Sequence, residues 1–125
     1  MNCLNCNKEI DRKGKKYCNN TCQKEYQYKT YINNWFQGLE TGTRGKDQIS
    51  MYIRRYLFEI NNNGCQMCGW NKKNPTTEKS PLEIHHIDGN HSNNTLKNLQ
   101  LLCPNCHSLT PTYKSLNTGS GRKKR

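Results

Sequence analysis

The sequence predicts a small α+β fold held together by zinc rather than by a large apolar core. Three observations carry that prediction. Only 31% of the 125 residues are hydrophobic, and mean hydropathy is −1.13. A small domain already buries a low share of its surface, so this chain needs another source of stability. Its eight cysteines fall into four short-spaced pairs, Cys3/Cys6, Cys18/Cys22, Cys65/Cys68 and Cys103/Cys106. Helical and strand-like segments then alternate with polar turns between those pairs.

Short, regular spacings suit metal chelation better than a disulfide framework. The N-terminus lacks the apolar run of a secretory signal, and no apolar run reaches membrane-spanning length. The expectation is an intracellular, cytoplasmic protein with no membrane partner. The formal charge is +11, and the isoelectric point is about 9.4. Two zinc ions on eight thiolates would lower that charge to about +7. The sign survives, and a polyanion is the natural partner.

Residues 1–40 read as a four-cysteine zinc finger plus a helix. Cys3-Leu-Asn-Cys6 is a tight knuckle, and 11 residues separate it from Cys18-Asn-Asn-Thr-Cys22. Lys8, Arg12, Lys13, Lys15 and Lys16 crowd the intervening loop, and basic loops grip phosphates. Positioning on DNA and structural capping of the helix are both open roles for this finger. Asn19 or Asn20 can cap a helix over about residues 21–37. Tyr28, Tyr31, Ile32, Trp35, Phe36 and Leu39 supply its apolar face. Those aromatics either pack or stack on bases.

Residues 41–46 read as a glycine-rich linker. Residues 47–118 read as a second domain with a leading helix over about 47–61. There Ile49, Ile53, Tyr56, Leu57 and Ile60 recur at helical spacing. Gly64 is the expected left-handed cap at its end. Leu82–Ile87 and Leu99–Leu102 are short strands, and Cys103-Pro104 opens a helix that Pro111 ends early. Residues 119–125 form a basic tail that either touches phosphates or is solvated.

Cys65, Cys68, Cys103 and Cys106 form a four-thiolate set with 34 residues between the pairs. A β-hairpin brings the ends of such a loop together, as in a zinc ribbon or treble clef. The rival assignment mixes His107, or a histidine of the His85-His86 pair, into the zinc shell. If four thiolates fill that shell, all three histidines are left for other chemistry. Successive strand residues point to opposite faces. His85 and His86 therefore diverge, unless a bend aims both into one cleft.

The run Leu82-Glu-Ile-His-His-Ile-Asp-Gly-Asn, followed by Asn98-Leu-Gln-Leu-Leu-Cys-Pro-Asn-Cys-His107, resembles the HNH nuclease family over residues 64–113. That resemblance implies a ββα-metal fold. It also implies His85 and His107 as ligands of one catalytic divalent ion, His86 as general base and Asn98 as the brace of the base's loop. A backbone carbonyl is expected to orient His86. The implied partner is DNA, cut to leave a 5′-phosphate and a 3′-hydroxyl. One site per chain implies one cut per visit, from a monomer or weak dimer. Cys65, Cys68, Cys103 and Cys106 match the family's structural zinc site. Cys3, Cys6, Cys18 and Cys22 would hold a second Zn²⁺, as in fingers that accompany some phage and bacterial relatives. Many relatives have aspartate where this chain has His85. Two imidazoles make a softer site, so the catalytic ion could be Mg²⁺, Mn²⁺, Ni²⁺ or Zn²⁺. Asp88, Asn90 and His91 read as solvated loop residues. The competing reading is a zinc-stabilised nucleic-acid-binding protein that has lost catalysis.

Overall fold

A computed structural model describes residues 1–11, 13–45 and 48–112. Arg12, Lys46, Asp47 and the basic tail, all of which enter the expectations above, lie outside the described residues. The chain divides into two units, Met1–Glu40 and Thr41–Arg125. Each contains one four-cysteine cluster.

In the first unit the Cys3 knuckle closes through Cys3 N–H to Lys8 O and Asn7 N–H to Cys3 O, at 2.8 and 2.9 Å. Asn7 supplies the left-handed turn at φ 62°. Helix α1 (Asn20–Phe36) starts where Asn19 Oδ1 accepts from Cys22 N–H. It ends in a Schellman arrangement. Leu39 N–H reaches Asn34 O, Gly38 N–H reaches Trp35 O, and Gly38 sits at φ 79°. Tyr28, Ile32 and Trp35 are buried along one stripe of the helix. Phe36 and Leu39, expected on that face, are exposed. Phe36 lies one residue off the stripe and stacks on Trp35, and Leu39 lies beyond the helix end.

The second unit opens with an element that the sequence reading divided between the linker and the leading helix. Strands β1 (Thr43–Arg44) and β2 (Gln48–Ile49) form an antiparallel hairpin, with Thr43 opposite Ile49 and Arg44 opposite Gln48. Helix α2 (Met51–Ile60) therefore starts four residues later than the expected Asp47. Ser50 caps it, accepting from Tyr52 N–H. Its buried face is Ile53 and Leu57, while Ile60 is exposed.

The end of α2 also differs from expectation. Asn62 and Asn63, not Gly64, take positive φ. Asn63 N–H returns to Phe58 O and Asn62 N–H to Glu59 O, the Schellman pattern with asparagine at the left-handed position. Gly64 is needed for closeness instead. A Cβ there would lie 3.0 Å from the carbonyl oxygen of Gly69 in the Cys65 knuckle.

Strands β3 (Glu83–His86) and β4 (Leu99–Leu102) pair antiparallel, in the register Glu83–Leu102, Ile84–Leu101, His85–Gln100 and His86–Leu99. Leu82, Leu99, Leu101 and Leu102, with Ile53 and Leu57, make up the apolar core. Gln66 N–H donates to Leu101 O at 2.7 Å and ties the knuckle to β4. Helix α3 (Pro104–Ser108) is one short turn capped by Cys103, whose sulfur accepts from Cys106 N–H. It stops before Pro111, as expected. The result is the small α+β architecture that the sequence predicts.

Candidate metal and catalytic centre

Cysteine geometry comes first, because it positions everything else. In each cluster, Cys3/Cys6/Cys18/Cys22 and Cys65/Cys68/Cys103/Cys106, all four sulfurs lie within 4.8 Å of one another. All eight residues are free thiols. Four thiolates about 2.3 Å from one zinc sit roughly 3.8 Å apart. The separations are 3.7 Å for Cys6–Cys18, 3.4 Å for Cys18–Cys22 and 3.7 Å for Cys68–Cys103. Both clusters therefore fit a tetrahedral zinc, and no histidine joins either set.

Their electrostatics agree. In the second cluster, burial pushes the Cys65 thiol up. Backbone N–H groups of Cys103, Cys68 and Met67 outweigh it and bring it down to about 6. Cys106 is pushed up to about 12, first by its contact with Cys103 and then by Cys68. The first cluster repeats the pattern, with Cys3 at about 6 despite burial and Cys18 at about 12 beside Cys22. Four thiols this close do not ionise together unless a cation joins them.

Strand β3 sorts the histidines by face. Glu83 and His85 share one side by the two-residue period, and His107 of α3 meets both. The His85 and His107 ring centroids are 5.2 Å apart with planes at 61°. Two imidazoles bound through nitrogen at about 2.0–2.1 Å to one ion would place their rings about 5 Å apart. Glu83 Oε2 lies 2.9 Å from His107 Nδ1. A proton on Nδ1, donated to that carboxylate, leaves Nε2 free for a metal. His85 is only 5% exposed. Burial, then His107 and His86, hold its pKa below the usual imidazole value. A neutral ring is the form that binds metal. The pair thus fits a divalent ion with positions left over.

His86 turns the other way. Its Nε2 lies 2.6 Å from Asn94 Oδ1, a side-chain oxygen where the resemblance implies a backbone carbonyl. Asn98, buried immediately before β4, holds the loop that follows His86. Its Oδ1 accepts from Asp88 N–H, and its amide donates to Asp88 Oδ1 and Asn93 O, at 3.0, 2.9 and 2.8 Å. Ile87 N–H donates to Asn98 O at 2.8 Å.

Asp88 is more than the solvated residue expected. Its carboxylate also accepts from Asn90 N–H and Asn93 Nδ2. Asn93 first, then Asn90, hold its pKa below the usual carboxylate value. Asn90 Oδ1 in turn accepts from Ser92 N–H.

Three contributors escape a sequence reading. Glu83 had a signal, since two residues before His85 on a strand means the same face. Asp88 had a weaker one, the turn-forming Asp-Gly that follows the strand. Asn94 had none, because nothing separates it from its neighbours in a run of polar loop residues.

Residues 65–110 match the family model described as HNH endonuclease. That span holds the second cysteine cluster and His85, His86, Asn98 and His107. Over that span the chain is similar to HNH endonucleases. The H-N-H endonuclease F-TflIV of Escherichia phage T5 is 52% identical over 58 residues. The aligned stretch is 44% of this chain and 23% of the phage protein, so the chain spans about a quarter of that relative. No solved structure gives a significant match. Among the described residues no helix is long and apolar enough to cross a membrane.

Proposed function

We propose that this chain is a metal-dependent DNA endonuclease of the HNH kind, hydrolysing phosphodiester bonds. The observation that carries the reading is the division of labour along β3. His85 and His107 present two imidazoles to each other on one side, and His86 stands on the other in a hydrogen-bonded mount. A packing role would not need two adjacent histidines each with its own partners.

A divalent ion on His85 and His107 would supply positive charge to the phosphate oxygens and the leaving alkoxide. Neutral His86 takes a proton from the attacking water, the general-base role that imidazole can fill near physiological pH. Asn98, Asp88 and Asn93 keep the loop after His86 from moving. Glu83 fixes the ring plane and tautomer of His107. The two four-cysteine clusters hold structural zinc. The chain's positive charge matches a DNA backbone, and Lys8, Lys13, Lys15 and Lys16 of the first unit add phosphate contacts.

Supercoiled plasmid incubated with Mg²⁺, Mn²⁺, Ni²⁺ or Zn²⁺ tests this reading. The wild-type chain is expected to give nicked or linear DNA. His86→Ala is expected to bind DNA equally and cleave about 10²–10⁴-fold more slowly. Wild-type protein that binds but cleaves with no ion would make this a nucleic-acid-binding protein. Full activity in His86→Ala would remove the base from its role.

A further inference from the structure

Asn94 is a buried amide in the loop between β3 and β4. It is 2% exposed, among the least accessible side chains of the chain. A buried amide must place its oxygen against a donor and its nitrogen against an acceptor. Here Oδ1 faces His86 Nε2 at 2.6 Å, and Nδ2 donates to Thr43 Oγ1 at 3.0 Å. Thr43 lies 51 residues earlier, on β1. That places it outside the span that matches the family.

The contact with β1 is built in. Gly42 sits at φ 82° directly against Asn94. A Cβ there would come within 2.9 Å of Asn94 Cβ, 3.1 Å of Asn94 O and 2.5 Å of Ile53 Cδ1. Ser50 N–H donates to Gly42 O at 2.8 Å and closes the hairpin. Ser50 also caps α2, whose Ile53 is fully buried. The hairpin is thus anchored to the core on one side and pressed on Asn94 on the other.

Resting on the nuclease reading above, we propose that Asn94 is the positioning residue that selects the tautomer of His86, and that the Gly42–Ser50 hairpin holds it through Thr43. The chemistry distinguishes the two amide orientations. With Oδ1 towards the ring, Nε2 carries the proton and Nδ1 keeps its lone pair for water. When Nδ1 takes that proton, the imidazolium still donates Nε2–H to the same oxygen. The flipped amide would use up the Nε2 lone pair, put the proton on Nδ1, and oppose N–H to N–H once the ring is charged. Only the observed orientation serves both states of a base, and in it Thr43 Oγ1 accepts from Nδ2.

The test pairs two readouts on the whole 125-residue chain loaded with zinc. Long-range ¹⁵N–¹H NMR reports the His86 tautomer without needing activity. Single-turnover cleavage and DNA affinity are measured separately. Wild type is expected as the Nε2–H tautomer. Asn94→Ala and Thr43→Val are expected to mix tautomers. They should slow cleavage at least about tenfold, within the roughly 10²–10⁴ that a general base contributes, at unchanged DNA affinity. Thr43→Ser, which keeps the hydroxyl, should recover most of the loss.

If Asn94→Ala does not fold, the Thr43→Val and Thr43→Ser pair decides. An unmoved tautomer in the folded variants, or an unmoved cleavage rate, overturns the proposal. If wild type cleaves with no ion, the nuclease reading fails and takes the positioning role with it. The NMR result alone then says whether Asn94 sets the tautomer.

Discussion

Asn98 shows how one side chain can hold a loop. Its amide makes three hydrogen bonds, to Asp88 N–H, Asp88 Oδ1 and Asn93 O, and it is buried. Asn98→Ala would strip all three partners at once. Leaving buried polar groups unpaired costs about 1–3 kcal/mol, which urea denaturation should register as a lower midpoint at unchanged slope. Asp88 adds a pH dependence. Hydrogen bonds from Asn93, Asn90 and Asn98 hold its folded pKa below the unfolded value of 3.8. The proton is therefore bound more weakly in the folded state. The stabilisation is present above about pH 3.8 and is lost as pH falls through the folded pKa. Asp88→Asn should flatten that acid limb, seen by following unfolding midpoints from pH 5 to about 2. Glu83 acts on the other face. Removing a carboxylate that orients a ligating histidine typically weakens metal binding about 10–100-fold. With the proposed ion on His85 and His107, Glu83→Ala should do so in a Ni²⁺ or Mn²⁺ titration without releasing metal from the cysteine clusters. At this scale the motif residues were readable because their types and spacing are chemically unusual. Asn94 was not, since its meaning lies in a contact with Thr43 that no local spacing encodes.

The elements divide by how much of their pattern fits inside a short window. Strands β3 and β4 were legible because leucines and isoleucines flank the histidines, with turn residues on both sides. The body of α2 was legible from Ile53, Tyr56 and Leu57. The β1–β2 hairpin was not, because strands of two residues cannot display a two-residue period. Gly42 and Gly45 instead read as linker composition. Gly64 was misread for a related reason. Its value comes from a backbone close to Gly69, not from its own dihedral, and Asn62 and Asn63 take the positive φ before it. Gly42 gives this scale its prediction. Alanine there would meet backbone and buried side chain together, at a φ of 82° that L-residues rarely adopt. Such strain costs about 1–3 kcal/mol. Gly42→Ala is expected to lower the melting temperature. An unchanged melting temperature would mean that the hairpin is not pressed against Asn94 as described.

The whole chain has little apolar material for two folded units, so metal in the two cysteine clusters would carry much of its stability. Native domains are stable by about 5–15 kcal/mol, while a structural zinc contributes roughly 10–16 kcal/mol at neutral pH. Removing the ion therefore takes away as much as the fold has. The second unit does own a core of Ile53, Leu57, Leu82, Leu99, Leu101 and Leu102. Yet Cys103 caps α3 through its sulfur, and the Cys65 knuckle is tied to β4 at Gln66. Without zinc, the four sulfurs would lose the ion that joins them at the junction where helix and hairpin meet. A strong chelator at neutral pH should abolish cooperative unfolding, read by far-UV circular dichroism, and readdition of Zn²⁺ should restore it. Metal analysis after dialysis should find two zinc ions per chain, because a two-histidine site exchanges its ion more readily than four thiolates do. Cys6→Ser and Cys68→Ser should each lower the count from two to one, since each cluster lies within its own unit. Only the Cys68 substitution should also disturb the His85–His107 pair, because α3 carries both Cys106 and His107. A chelated chain that kept its spectrum and its cooperative transition would show that the leucine core suffices, and that the cysteines hold metal for some other purpose.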